Sequence, residues 1–344
     1  MVPAGREAFM EISSRIRVLL VTGCCAFPLL ADNAGKFLPE KQGQRSVVRR
    51  FARLDGATAA AFEKNLQPLV DFFVKNVPFI RANRGFDLRI ILGATDRFDE
   101  QTGRRLLKPH QYGIAGEVRF LFELFLRNGR KWDNEPPQWG LLVNQTETGG
   151  HGGLFNDGDE ESFLKRTFLV FPFVRELAPG VHYYNAPTQT AGQIIVFNPA
   201  RPRYWLPVTV REMVRAKLAF YASGKPGDKA VHDYLVKVVR ALPPAELDAP
   251  AHYGSSDGIL NVNGKGQGLR IMRFNPEYWD RRLPASAVQL ITLSHNEWGY
   301  NCFNEADWRR SRADFFRNNG HPEYWQEIPR AVDLRQLAAC LTRG

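Results

Sequence analysis

The chain has 344 residues, 44% of them hydrophobic, enough to bury one large core or two modest ones. It carries 46 Lys and Arg against 36 Asp and Glu, and this excess favours anionic partners and solubility before it speaks to fold. The arginine pairs at 49–50, 104–105, 281–282 and 309–310 are scattered, and no RNA- or DNA-binding motif frames them, so nucleic acid is not an expected partner.

From Met10 the chain reads as a short polar stretch with Arg15 and Arg17, an apolar run over 18–30, then Ala31 before Asp32-Asn33. These are the three parts of a signal peptide, expected over 1–31, and the run is too short for an ordinary membrane-spanning helix. Cleavage after Ala31 removes Arg6, Arg15, Arg17, Glu7 and Glu11 and leaves a basic mature chain with no further long apolar segment. The expected location is periplasmic or secreted. Val21-Thr22-Gly23-Cys24 also resembles a lipobox, in which a lipidated Cys24 would make the protein an outer-membrane lipoprotein; the apolar run continuing past Cys24 favours the cut after Ala31.

Residues 32–57 are basic, polar and Gly-containing and read as a linker or arm. An α+β domain is expected over 58–242. The segment 58–77 places Phe62, Leu66, Leu69, Val70 and Phe73 at helical spacing. Strands are expected at 86–92 and at 117–127, where Val118, Phe120, Phe122, Leu124 and Leu126 alternate with polar residues, although part of that stretch also fits a helical period. Further strands are expected at 140–144, 166–171, 181–184 and 193–197. Their β-branched and aromatic content, broken by Gly, Pro and Asn, points to a mainly antiparallel sheet with packed amphipathic helices. Thr209-Val210-Arg211-Glu212 is a capping box, with Val208 and Met213 placed as its hydrophobic staple, so a helix starts there. A second helix follows over 228–242. Residues 243–268 are rich in Pro, Gly, Ser and Asn, a long loop and a candidate boundary before an α+β region over 243–344, separate or part of the same domain. That region holds expected strands at 269–274 and 288–293 and helices at 307–317 and 334–341.

Two segments echo each other: Phe197-Asn198-Pro199 leading to Tyr204-Trp205, and Phe274-Asn275-Pro276-Glu277-Tyr278-Trp279. With their flanks, through Thr209 and through Gln289-Leu290-Ile291, they resemble segments of uncharacterised secreted bacterial proteins. The resemblance covers about fifty residues and implies export and no particular activity. Pro322-Glu323-Tyr324-Trp325 repeats four residues once more, but the copies do not keep one period, so recurrent turn chemistry is the simpler explanation.

Gly254-Ser255-Ser256-Asp257-Gly258 has the form of a nucleophile elbow with Ser256 as nucleophile, yet the apolar strand that should precede it and the helix that should follow are missing. Gly149-Gly150-His151-Gly152-Gly153 and the acidic run from Asp157 and Asp159 to Glu161 offer His151 as a base or ligand and the two aspartates as oxygen ligands. The spacing is not that of an EF-hand, and a solvated surface loop is the simpler reading. No metal centre and no cofactor is expected. Trp205 and Trp279 are candidates for a stacking platform toward a sugar, or else core residues packing at element ends. After cleavage at Ala31 only Cys302 and Cys340 remain, and an even pair in an oxidising compartment suggests a disulfide; two separate buried thiols are the alternative. The expected function is an exported soluble protein that binds a ligand or partner in the cell envelope without catalysis, the ligand being anionic or a glycan. An extracytoplasmic hydrolase is the alternative.

Overall fold

A computed structural model describes residues 36–51, 54–94, 112–132, 136–145, 173–185, 192–222, 228–253, 269–295, 306, 309 and 327–342. Helix α1 (Gly56–Asn76) is started by Asp55, whose carboxylate accepts from the Thr58 amide at 2.9 Å. Its buried stripe is Phe62, Leu66, Leu69, Val70 and Phe73, the stripe that the spacing predicts. A short helix α2 (Pro78–Ala82) follows, and the chain then enters strands β2 (Phe86–Ala94), β3 (Gly116–Leu124) and β4 (Gln138–Val143). β3 alternates buried and half-buried residues along its whole length, so the strand reading of that stretch holds over the helical one.

A second meander comprises β5 (Phe173–Ala178), β6 (Val181–Asn185) and β7 (Gly192–Phe197). Its first strand begins just beyond the expected one at 166–171, which lies outside the described residues. The two meanders do not pair with each other directly. A strand from late in the chain, β12 (Leu290–His295), lies between β4 and β7 and pairs antiparallel with both. With β1 (Arg45–Arg50) at one edge, the sheet runs β1-β2-β3-β4-β12-β7-β6-β5. β1 and β2 are parallel; the other neighbours are antiparallel. The protein is therefore α+β with a mainly antiparallel sheet. Among the described residues no helix is long and apolar enough to cross a membrane.

The stretch 32–57, expected as a linker or arm, differs from that expectation where it is described. Residues 45–50 form the edge strand, and Phe37 is buried in the main core at 7% exposure. The reason lies in what an edge strand requires. Arg-Ser-Val-Val-Arg-Arg shows no apolar alternation because the strand uses its backbone on one neighbour and its arginines elsewhere: Arg45 donates to the carbonyls of Ile80 (2.9 Å) and Arg81 (2.6 Å) in the last turn of α2, and Arg49 pairs with Glu63 at 2.7 Å.

The face of the sheet carrying Leu88, Ile90, Phe120, Phe122, Trp139, Leu141, Ile194, Val196, Ile291 and Leu293 is covered by α1 and by a carboxy-terminal stretch that includes Ile328 and the 3₁₀ helix Leu334–Cys340. On the opposite face the two halves of the sheet differ. The β2–β3 half is solvated and laced with ion pairs, Lys131 bridging Asp87 (2.7 Å) and Glu123 (2.8 Å) and Arg89 meeting the same Glu123. The β6–β7–β12 half is covered by the excursion between β7 and β12.

That excursion holds β8 (Trp205–Pro207), helices α3 (Val210–Tyr221) and α4 (Asp228–Ala241), a one-turn helix Pro244–Leu247, the two-residue strands β9 (His252–Tyr253) and β10 (Leu269–Arg270), and β11 (Met272–Phe274). The capping box is present in full: the Glu212 amide donates to Thr209 Oγ1 at 3.2 Å, and Glu212 Oε2 accepts from the Thr209 amide at 2.9 Å. Val208, Val210, Met213, Val214, Leu247, Ala251 and Ile271 form its own small core.

Joining the meanders depends on Asn144, directly after β4. It is fully buried, its backbone is left-handed (φ 57°), and its side chain donates to the carbonyls of Ile114 (2.9 Å) and Ala287 (2.8 Å) while accepting from the amides of Gln289 (2.8 Å) and Leu290 (3.3 Å). One amide group thereby fixes the entry to β3, the exit from β4 and the start of β12.

Candidate functional site

The two Phe-Asn-Pro segments come together. β8 and β11 pair antiparallel with Trp205 opposite Phe274, the Asn275 amide donates to the Tyr204 carbonyl at 2.7 Å, and Asn275 Nδ2 donates to the Arg203 carbonyl at 2.7 Å. In each copy the Asn side chain accepts from the amide two residues on, Asn198 from Ala200 and Asn275 from Glu277, both at 3.0 Å. The echo in the sequence is thus a repeated Asx turn, the turn chemistry that the irregular spacing suggests. The third copy, 322–325, lies outside the described residues.

Together the two copies build an aromatic cluster on the β6–β7–β12 face from Tyr184, Phe197, Tyr204, Trp205, Phe274, Tyr278 and Trp279. Trp205 sits 4.5 Å from Tyr184 between ring centroids, and Trp279 stacks on Phe274 at 6.1 Å with 20° between planes. The candidate residues Trp205 and Trp279 therefore meet in one place, but at 4% and 5% exposure their ring faces are spent on other rings. The Tyr278 hydroxyl donates to the Gln289 carbonyl at 2.6 Å, tying the second copy to β12.

Polar groups gather at one side of this cluster. The Tyr204 and Tyr184 hydroxyl oxygens are 2.7 Å apart, and His182 Nδ1 lies 2.9 Å from the Tyr204 oxygen and 3.4 Å from that of Tyr184. The imidazole packs edge-on against Phe197 at 4.5 Å. One proton per link serves the chain His182–Tyr204–Tyr184 in either direction, so neutral imidazole is accommodated in either tautomer. Burial pushes the Tyr184 hydroxyl up to about 12 and that of Tyr204 well above the usual tyrosine range, and it moves Tyr278 to about 12. His182 is lowered, first by burial and further by the Arg203 charge, with Glu176 opposing. At neutral pH the network is uncharged and its groups are hydrogen-bonded to one another.

Two outcomes follow. In an ultraviolet titration of the folded protein, Tyr184, Tyr204 and Tyr278 are expected to stay protonated at about pH 11, where free tyrosines have ionised; full ionisation by that pH without unfolding would contradict the burial. For His182 the folded form resists a proton that the unfolded chain accepts near pH 6.5. Stability therefore declines as pH falls from about 6.5 toward the folded-state value, then levels off. Urea midpoints across this range are expected to fall less steeply in His182→Gln.

Other candidate residues are placed elsewhere. Cys340 is a free thiol, half-buried against α1, with Sγ 3.7 Å from the Pro68 carbonyl oxygen; burial raises it to about 11. Cys302, His151, Asp157, Asp159, Ser256 and Cys24 lie outside the described residues, as does all of the expected helix at 307–317 except Arg309. Among the described residues no group of three or more His, Cys, Asp or Glu stands together as a metal site. His182, Tyr184 and Tyr204 are absent from the sequence-based candidates. The available signal was the doubled Phe-Asn-Pro and Tyr-Trp pattern, which marks where two distant segments meet.

Comparison with protein-family models, curated proteins and solved structures finds no significant match to this chain.

Proposed function

We propose that the chain is an exported protein that binds a ligand or partner in the cell envelope without catalysing a reaction on it. The observation that carries this reading is the His182–Tyr204–Tyr184 network: beside the aromatic cluster its polar groups are hydrogen-bonded to one another, an arrangement that fixes the shape of this face. Export is supported by the Arg-flanked apolar run ending at Ala31 and by the resemblance of the Phe-Asn-Pro segments to secreted bacterial proteins.

Amino-terminal sequencing of the protein from its native host is expected to begin at Asp32. A blocked, lipidated Cys24 would instead make it an anchored lipoprotein, and an intact Met1 or Met10 would overturn export. A panel of esters, peptides and glycosides is expected to show no turnover. Turnover that Ser256→Ala abolishes, with the circular dichroism unchanged, would establish the hydrolase in its place.

A further inference from the structure

Two cationic groups beside the aromatic cluster, Arg201 and Arg203, belong to the first Phe-Asn-Pro segment, and among the described residues neither forms an ion pair with a carboxylate. Arg201 is half-buried, with its guanidinium 5.8 Å from the centre of the Tyr278 ring and one N–H on the neutral Gln289 side-chain oxygen. Asp280 is close enough to feel Arg201, but both its oxygens are taken by Arg282, at 2.9 and 2.8 Å. Arg203 is exposed and its guanidinium makes no hydrogen bond or ion pair among the described residues, while its charge reaches His182 and Tyr184. Among the described residues Glu277, exposed in the second segment, and Glu176 on β5, whose charge reaches His182, are further acidic groups at this end.

The backbone under these two arginines is fixed from both sides. Asn198 closes the turn before them, and Asn275 bonds the carbonyls of Arg203 and Tyr204. Arg201 and Arg203 stand two residues apart just after the Asn198 turn, the Arg201 guanidinium over the Tyr278 ring and the Arg203 charge within reach of His182 and Tyr184, and guanidinium groups offer paired N–H donors to a tetrahedral oxyanion. A backbone held in advance saves the ordering cost that a loose basic loop would incur on binding.

We propose that Arg201 and Arg203, mounted on the paired Phe-Asn-Pro segments, form a binding site for a sulfate or phosphate group carried by an anionic ligand. This deepens the binding reading above and rests on it. Because the indole faces are covered, the site recognises the charged group and not a sugar ring.

The test compares wild type with Arg203→Gln, which removes no bond of the fold, and with Arg215→Gln, which removes the same charge from an exposed position on α3. The probes are dextran sulfate, polyphosphate, inorganic sulfate and, as control, neutral dextran, measured by calorimetry at about 150 mM salt, where long-range attraction is screened. Wild type is expected to bind the charged probes and not neutral dextran. Arg203→Gln should weaken binding about tenfold, as loss of one charge-assisted hydrogen bond implies, and Arg215→Gln by less than about twofold. Preference for dextran sulfate or for polyphosphate identifies which group the ligand carries. Equal losses in both variants would overturn the site and leave only net-charge attraction. Absence of binding by wild type would overturn it too, without touching the wider binding reading, which the substrate panel decides.

Discussion

Asn144→Ala is expected to cost roughly 4–5 kcal/mol, a large part of the 5–15 kcal/mol that holds an ordinary domain together. Alanine removes four hydrogen bonds at a fully buried position and leaves the Ile114 and Ala287 carbonyls and the Gln289 amide without their partner. Each stranded buried group costs about 1–3 kcal/mol, and the penalties do not simply add. A second contribution comes from the backbone: asparagine tolerates the left-handed conformation at φ 57°, and alanine pays about 1 kcal/mol for it. Asn144→Gly separates the two, since glycine loses the same hydrogen bonds without that strain. Urea unfolding should therefore rank wild type above Asn144→Gly and Asn144→Gly above Asn144→Ala. A loss below about 1 kcal/mol in both variants would show that the join between meanders does not depend on this side chain.

The second large effect is expected at Gly43. A Cβ there would stand 1.7 Å from the Phe86 carbonyl oxygen and 2.7 Å from its carbon, both backbone atoms at the start of β2, so no side-chain rotation relieves the overlap. The chain reaches this point because the Gly43 amide donates to the Asn83 carbonyl at 2.9 Å and the Gly85 amide to that of Lys41 at 2.8 Å. Gly43→Ala must push residues 36–44 off the sheet, taking Phe37 out of the core and loosening β1. Overpacking of this kind costs about 1–3 kcal/mol or more, bounded above by what the docked segment contributes. The expected result is new protease cleavage between residues 36 and 51 together with a lowered urea midpoint. Unchanged proteolysis would mean that the segment accommodates the methyl group in place.

Local features were legible in the sequence. The α1 stripe and the Thr209–Glu212 capping box depend on residues within a few positions of each other, and β3 announced itself by alternation because one of its faces is buried. β1 was not legible, since Arg45 and Arg49 serve α2 and α1 and an edge strand needs no apolar rhythm. Asn144 was invisible for a different reason: its partners lie 30 residues behind it and 143 to 146 residues ahead. The polar network was missed likewise, because His182 sits on a strand between two buried apolar residues and its meaning comes from Tyr204, 22 positions away. The doubled Phe-Asn-Pro pattern was seen, but that the copies pair with each other is a tertiary fact.

The position of β12 has a consequence for how the chain matures. Neither meander presents a finished edge on its inner side until the strand over 290–295 arrives, so β4 and β7 hold open hydrogen-bonding rows until that strand is available. Contacts that join residues so far apart also make assembly slow. On the proposed export route, a chain threaded through a membrane from its amino terminus would emerge with both meanders ahead of β12, and the sheet could not close before residues 290–295 had followed. The same delay leaves two sticky edges waiting, which makes any fragment ending before residue 290 a candidate for strand exchange with its neighbours instead of a stable half-domain.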